Sequence, residues 1–261
     1  MRRILLSIIA AACALAASAI DKILLADHSE TALIADEIIH LPGLGLGLKC
    51  GPDSVILFDN PELAAVRWLE PTGVRSIAAC GGQFYAAEGD SIYRIATAAA
   101  PRKFIGRMDN EQFSLYPATD STFFACTADE DFSCVYEINP LRQTCMPYIS
   151  VQAALLKLSA HGGNTMIWID DQILLAMADE KLVPVFSSES ICDMVMTPVG
   201  LMAATADGLY WITEPGKGAC LVNEPISRVW WDDADVLYYL TASGNLFAVV
   251  GMEEAYSTRV K

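Results

Sequence analysis

One pattern occurs six times in this chain: an apolar strand, a polar turn and a second apolar strand. The segments are LGLKCGPDSVILFD (46–59), FYAAEGDSIYRIA (84–96), FFACTADEDFSCVYEI (123–138), MIWIDDQILLAM (166–177), LMAATADGLYWIT (201–213) and LYYLTASGNLFAV (237–249). Their turns centre near Pro52, Gly89, Glu130, Asp170, Asp207 and Gly244, about 36–41 residues apart. A further short strand precedes each of the later hairpins, as in VRSIAAC (74–80) and CDMVMT (192–197). Another follows, as in AAVRWL (64–69) and TCMPYI (144–149). Four strands in each period of roughly 40 residues is the signature of a β-propeller blade. The pattern predicts an all-β, six-bladed propeller of four-stranded antiparallel blades, with five or seven blades as alternatives, and no helix longer than two turns. The segment KILLAD (22–27) is either an extra edge strand that closes the ring or a linker.

The strands also explain the composition. FYAA, MIWI, LMAA and LYYL are continuous apolar runs, as expected of strands covered on both faces. They help raise the apolar fraction to 53%. The rest of the excess lies at the N-terminus, where MRR, an apolar run and Ala17-Ser18-Ala19 form the three parts of a secretory signal peptide. The domain reading is therefore a signal peptide at 1–19 and a single propeller at 20–261, exported to the periplasm or the exterior. Acylation at Cys13, as a lipoprotein, is the minor alternative. No later run is long enough for a transmembrane helix. Without residues 1–19 the chain holds 15 basic and 32 acidic residues, a formal charge of −17. That balance speaks against nucleic acid and anionic membranes as partners. The chain is expected to be a monomer.

The stretch GLMAATADGLYWIT (200–213), with EPGKGACLVNEPISRV after it, resembles the repeat of bacterial two-component-regulator-type propellers and of related NHL-like propellers. In those repeats an apolar strand ends in Gly-Thr or Ala-Thr, and a Gly-Leu-Tyr or Gly-Leu-Trp turn and strand follow. The resemblance implies the fold. It also implies a binding or sensing role by analogy, although enzymes share the repeat.

Motifs of catalysis are few. The three histidines His28, His40 and His161 form no HExxH or His-x-His pair, and there is no GxSxG. LPGLGLGLKCG (41–51) lacks the third glycine and the following helix of a dinucleotide site. Charge placement is more informative. In a blade, the turns between its second and third strands share a rim with the connections between blades. Those turns carry Glu88, Asp90, Asp129, Glu130, Asp131, Asp170, Asp171 and Asp207. They are the candidate ligand-binding residues of a non-catalytic interaction module for a protein, peptide or glycan. Solubility and local turn hydrogen bonding are the plain alternative for the same acids. No cofactor is required, with calcium as the one candidate: Asp129-Glu130-Asp131 and Asp170-Asp171 on neighbouring turns are the densest oxygen donors. The rival function is a six-bladed enzyme such as a calcium-dependent lactonase or a sugar lyase, which needs carboxylates and amides converging on the axis.

Seven cysteines follow the leader: Cys50, Cys80, Cys126, Cys134, Cys145, Cys192 and Cys220. An odd number leaves at least one unpaired. Cys126 and Cys134 flank the turn at Glu130 symmetrically, so they are expected to form a cross-strand disulfide.

Overall fold

The computed structural model describes residues 21–26, the strands within 37–69, and 74–259 with breaks at 82, 96–102, 111, 130, 178–180 and 233–234. The expected signal peptide, with the Cys13 alternative, lies outside the described residues.

In chain order, β1 (Asp21–Ala26) precedes β2 (Glu37–Leu41), β3 (Gly45–Lys49), β4 (Ser54–Asp59) and β5 (Ala64–Leu69). Next come β6 (Val74–Cys80), β7 (Gln83–Glu88), β8 (Ser91–Ile95) and β9 (Lys103–Arg107), then β10 (Phe113–Pro117), β11 (Phe123–Ala128), β12 (Ser133–Asn139) and β13 (Thr144–Val151). The following four are β14 (Leu155–His161), β15 (Asn164–Ile169), β16 (Gln172–Ala176) and β17 (Leu182–Ser187). The chain continues through β18 (Ile191–Thr197), β19 (Gly200–Thr205), β20 (Leu209–Glu214) and β21 (Lys217–Val222) to β22 (Ile226–Trp231), β23 (Leu237–Thr241), β24 (Leu246–Val250) and the helix α1 (Met252–Arg259).

The fold is an all-β propeller of four-stranded antiparallel blades. Strand pairing gives six four-stranded sheets, of which five count as blades, the alternative to the expected six. The least regular repeat is the first: its turn at Pro52 lacks the Asp-Gly or Ser-Gly dipeptide of the last two. The strands themselves fall within two residues of their expected positions.

The chain packs as two compact units, 35–189 and a second made of 1–34 with 190–261. In the central unit, β2–β5, β6–β9, β10–β13 and β14–β17 are each a meander. One apolar cluster joins Tyr85, Phe123 and Leu115 between the second and third sheets, with Tyr85 and Phe123 stacked at 4.8 Å. Another joins Phe124, Leu158 and Ile167 between the third and fourth. Second strands are buried on both faces, as their unbroken apolar runs predict: Phe84 through Ala87 in β7 and Phe123 through Cys126 in β11 are all buried. Outer strands are not, and Thr144 through Pro147 of β13 are all exposed. These free edges carry irregularities. Pairing shifts opposite Tyr148 in β13 and opposite Val185 in β17, each directly after a proline, Pro147 and Pro184. Bulges and prolines at an edge impede pairing with another chain.

In the terminal unit, β18–β21 form one sheet and β22–β24 another, which β1 completes in the order β1-β24-β23-β22. The segment read as edge strand or linker is thus an edge strand. Trp211, Tyr239, Leu237 and Met202 fill the cluster between the two sheets. The eight-residue helix α1 closes it with Met252 and Ala255, both buried, and with Tyr256 against Trp211 at 6.2 Å. At 3.6 residues per turn this helix slightly exceeds the expected limit of two turns. No helix among the described residues is long and apolar enough to cross a membrane.

Candidate functional site

The turns between second and third strands are built by their own side chains. In GLMAATADGLYWIT, the Thr205 hydroxyl accepts the N–H groups of Asp207 at 3.1 Å and Gly208 at 3.0 Å. Thr241 plays the same part in the last sheet, accepting the N–H of Asn245 at 2.9 Å. This is the physical use of the threonine that ends the strand: a local hydroxyl replaces the ladder where pairing stops. Gly208 is required for a different reason. A Cβ there would lie 2.4 Å from Val222 O, so the turn approaches the outer strand more closely than any side chain permits.

Main-chain bonds tie these turns to the neighbouring inter-sheet connections. Met108 N donates to Asp90 O at 2.7 Å and Ser188 N to Asp171 O at 2.9 Å in the central unit. In the terminal unit Ala206 N donates to Ser190 O at 3.0 Å and Ala242 N to Pro225 O at 2.9 Å. The acidic turns and the connections therefore share a rim within each unit.

The candidate acids divide by role. Asp90 accepts from Ser91 Oγ at 2.7 Å and pairs with Arg107 Nε at 3.0 Å, which joins the turn to the end of β9. Asp129 Oδ1 accepts the N–H groups of Asp131 at 3.0 Å and Phe132 at 2.7 Å, closing its own turn. Asp207 Oδ2 accepts from Ser190 Oγ at 3.2 Å. These three carboxylates serve the turn architecture. Asp131, Asp170 and Asp171 are exposed at turn tips, and Glu88 is half-buried. Asp170 stands in the left-handed region at φ 50°, with its carbonyl held by Trp168 Nε1 at 2.8 Å. Glu130 lies outside the described residues. Among the described residues no three histidine, cysteine, aspartate or glutamate side chains gather as a metal site.

The Cys126–Cys134 pairing is corrected. In the β11–β12 ladder Cys126 stands opposite Val135, and Cys134 opposite Thr127. Symmetry about Glu130 misled by one residue, and a one-residue offset turns a strand side chain to the other face. Cys126 enters the apolar cluster, whereas the Cys134 thiol lies 3.5 Å from Ser150 Oγ. Both thiols are free, as are Cys80, Cys145, Cys192 and Cys220. Burial, with the neighbouring Cys134 second, pushes the Cys126 thiol up to about 12. Burial, with the Asp120 charge second, pushes Cys80 to about 11.

Two polar features escaped the sequence reading. Asp193, in an inner strand, is buried. A second acidic group, Asp232, Asp235 and Glu253, stands where α1 begins. Asp232 accepts Tyr238 OH at 3.0 Å and Val236 N at 3.0 Å. Burial, then the charge of Glu253, raises the Asp235 carboxyl above the usual carboxylate range. The run WWDDAD was the visible signal, but α1 was not foreseen beside it.

No family model matches the chain, and no curated protein matches it. Solved structures do. A protein assigned as a gluconolactonase superposes with a TM-score of 0.63 at 12% identity, over 88% of this chain and 92% of that one. A luciferin-regenerating enzyme gives 0.60 at 12% identity, over 84% and 91%. The extracellular domain of BT4673 from B. thetaiotaomicron gives 0.55 at 13% identity, over 87% of this chain but 40% of that one. The resemblance to two-component-regulator-type propellers holds at the level of the fold. At these identities the fold is what the likeness shows.

Proposed function

We propose that this chain is an exported, non-catalytic propeller that binds a protein, peptide or glycan ligand through its acidic turns. The observation that carries the reading is the placement of Asp131, Asp170 and Asp171. All three are exposed on neighbouring turns of the central unit. Their backbones are pinned, by Asp129 Oδ1 for Asp131 and by Trp168 and Ser188 for Asp170 and Asp171. Rigid presentation lowers the ordering cost of binding, and negative charge on exposed turns speeds the encounter with a cationic ligand. Export is compatible with the position of β1, which begins at Asp21, two residues after the expected cut behind Ala19, so that cut leaves every described strand in place.

The test is titration of a lysine-rich peptide into the wild type and into Asp131→Lys with Asp171→Lys, at low and high salt. The reading expects binding that weakens with salt and falls at least tenfold in the double variant. Equal binding by both proteins makes the turns a solvated surface and defeats it.

A further inference from the structure

Strand β1 enters the last sheet from the opposite end of the chain. It is held by its ladder with β24, from Asp21 opposite Val250 to Ala26 opposite Leu246, with a shift between Leu24 and Ala26. Of its described side chains, Lys22, Ile23 and Leu24 are exposed and Leu25 is half-buried. Ile23 and Leu24 remain 48% and 50% exposed. Lys22 is exposed and donates through Nζ to Leu221 O at 3.0 Å. The apolar cluster beneath this sheet takes Leu237, Tyr239 and Val249 but no described residue of β1.

The other outer strands of the described sheets differ in a way that matters. β5, β9, β13, β17 and β21 each follow the strand they pair with, as the second arm of a hairpin. Such an arm returns to its place because it is tethered across a few residues. β1 has no hairpin to β24, and its own continuation runs into β2.

We propose that β1 is exchangeable, and that the edge of β24 accepts the same strand from a second copy of the chain. An exchanged β1 makes the same main-chain bonds and the same side-chain contacts, so no contact is lost. The balance between the closed monomer and the exchanged pair then rests on the effective concentration of the tethered strand. Ten residues, 27–36, separate β1 from β2. They allow a reach of at most about 35 Å, which sets that concentration. An edge emptied of β1 exposes the unpaired groups of β24, a template for strand addition. The proposal is independent of the acidic turns.

Three measurements on the chain from residue 20 test it. Hydrogen exchange on the intact protein should show β1 amides exchanging at least tenfold faster than those of β23. A labelled peptide of residues 20–27 should be captured, and the same peptide with Ile23→Pro should bind at least tenfold more weakly. Concentrated protein should form dimers that vanish when β1 is locked by a disulfide in Ile23→Cys with Ala248→Cys, with Cys145 and Cys220 replaced by serine; these two positions face each other in the ladder. Reduction should restore the dimers. Protection of β1 equal to that of β23 overturns the proposal, as does a monomer at every concentration with no peptide capture. Equal capture of a scrambled peptide overturns the second copy as occupant, because the edge then accepts any strand.

Discussion

Asp193 on β18 accepts, through Oδ2, the backbone N–H of Val229 on β22 at 3.0 Å. Both residues are buried, and the other carboxylate oxygen accepts Met194 N at 2.8 Å. The bond joins the first strands of two adjacent sheets, a place where no ladder can form. Ser76 does the same between β6 and β10, exchanging hydrogen bonds with the N–H and C=O of Leu115 at 3.0 and 3.2 Å. Neighbouring sheets are thus tied by side chains where their backbones cannot pair.

Asp193→Ala leaves the buried Val229 N–H without its acceptor. A lost partner to a buried donor costs about 1–3 kcal/mol. Urea unfolding should show that loss, and Asp193→Asn, which keeps one carbonyl acceptor, should lose less.

Glycine substitutions should separate by contact. Gly208→Ala drives a Cβ to 2.4 Å from Val222 O, and Gly200→Ala drives one to 2.5 Å from Ile212 O at a φ of +129°. Both clashes are with backbone, so each should cost about 1–3 kcal/mol or more. Gly106→Ala meets nothing within 4 Å and has no positive φ. It should be near neutral in thermal melts.

The cysteines predict an alkaline limit. The Cys126 and Cys80 thiols are raised from 9.0 to about 12 and about 11. The folded state holds these protons more tightly than the unfolded state. Their contribution is therefore fully present below about pH 9 and is lost as pH rises toward 11–12. Each affected thiol should cost up to about 1.4 kcal/mol per pH unit in that window. Cys126→Ala should flatten the stability profile above pH 9, although it leaves a small cavity. In the same range iodoacetamide should modify the exposed Cys145 and Cys220 well before Cys126 and Cys80, as read by peptide mass spectrometry.

Removal of residues 252–261 takes away Met252, which is fully buried, and uncovers Trp211. The Trp211 indole keeps its bond to Val199 O at 2.8 Å, so its ring should stay placed while one side meets water. A red shift in tryptophan emission and a loss of about 2–4 kcal/mol in urea unfolding are expected, in the range of large-to-small core changes.

The amino-acid order alone determines the strands of this protein, because the signals are local. Continuous apolar runs mark β7, β11 and β19 as doubly covered, and Asp207-Gly208 and Ser243-Gly244 mark where the chain reverses. The same locality explains why the acidic turns were legible as a set. Tertiary structure decided the rest. Asp90, Asp129 and Asp207 bond within or beside their turns through their carboxylates, although Asp129 and Asp207 are as exposed as Asp131, Asp170 and Asp171, and no spacing reveals partners such as Arg107 and Ser190. Cys126 and Cys134 are equidistant from Glu130, yet ladder register is a property of two strands together, and one step of offset sends them to opposite faces. The closure by β1 joins residues about 225 apart, and the bond from Asp193 to Val229 joins 36 apart. Contacts of that range depend on how sheets pack, and packing is a collective outcome of burial that no single stretch of sequence encodes.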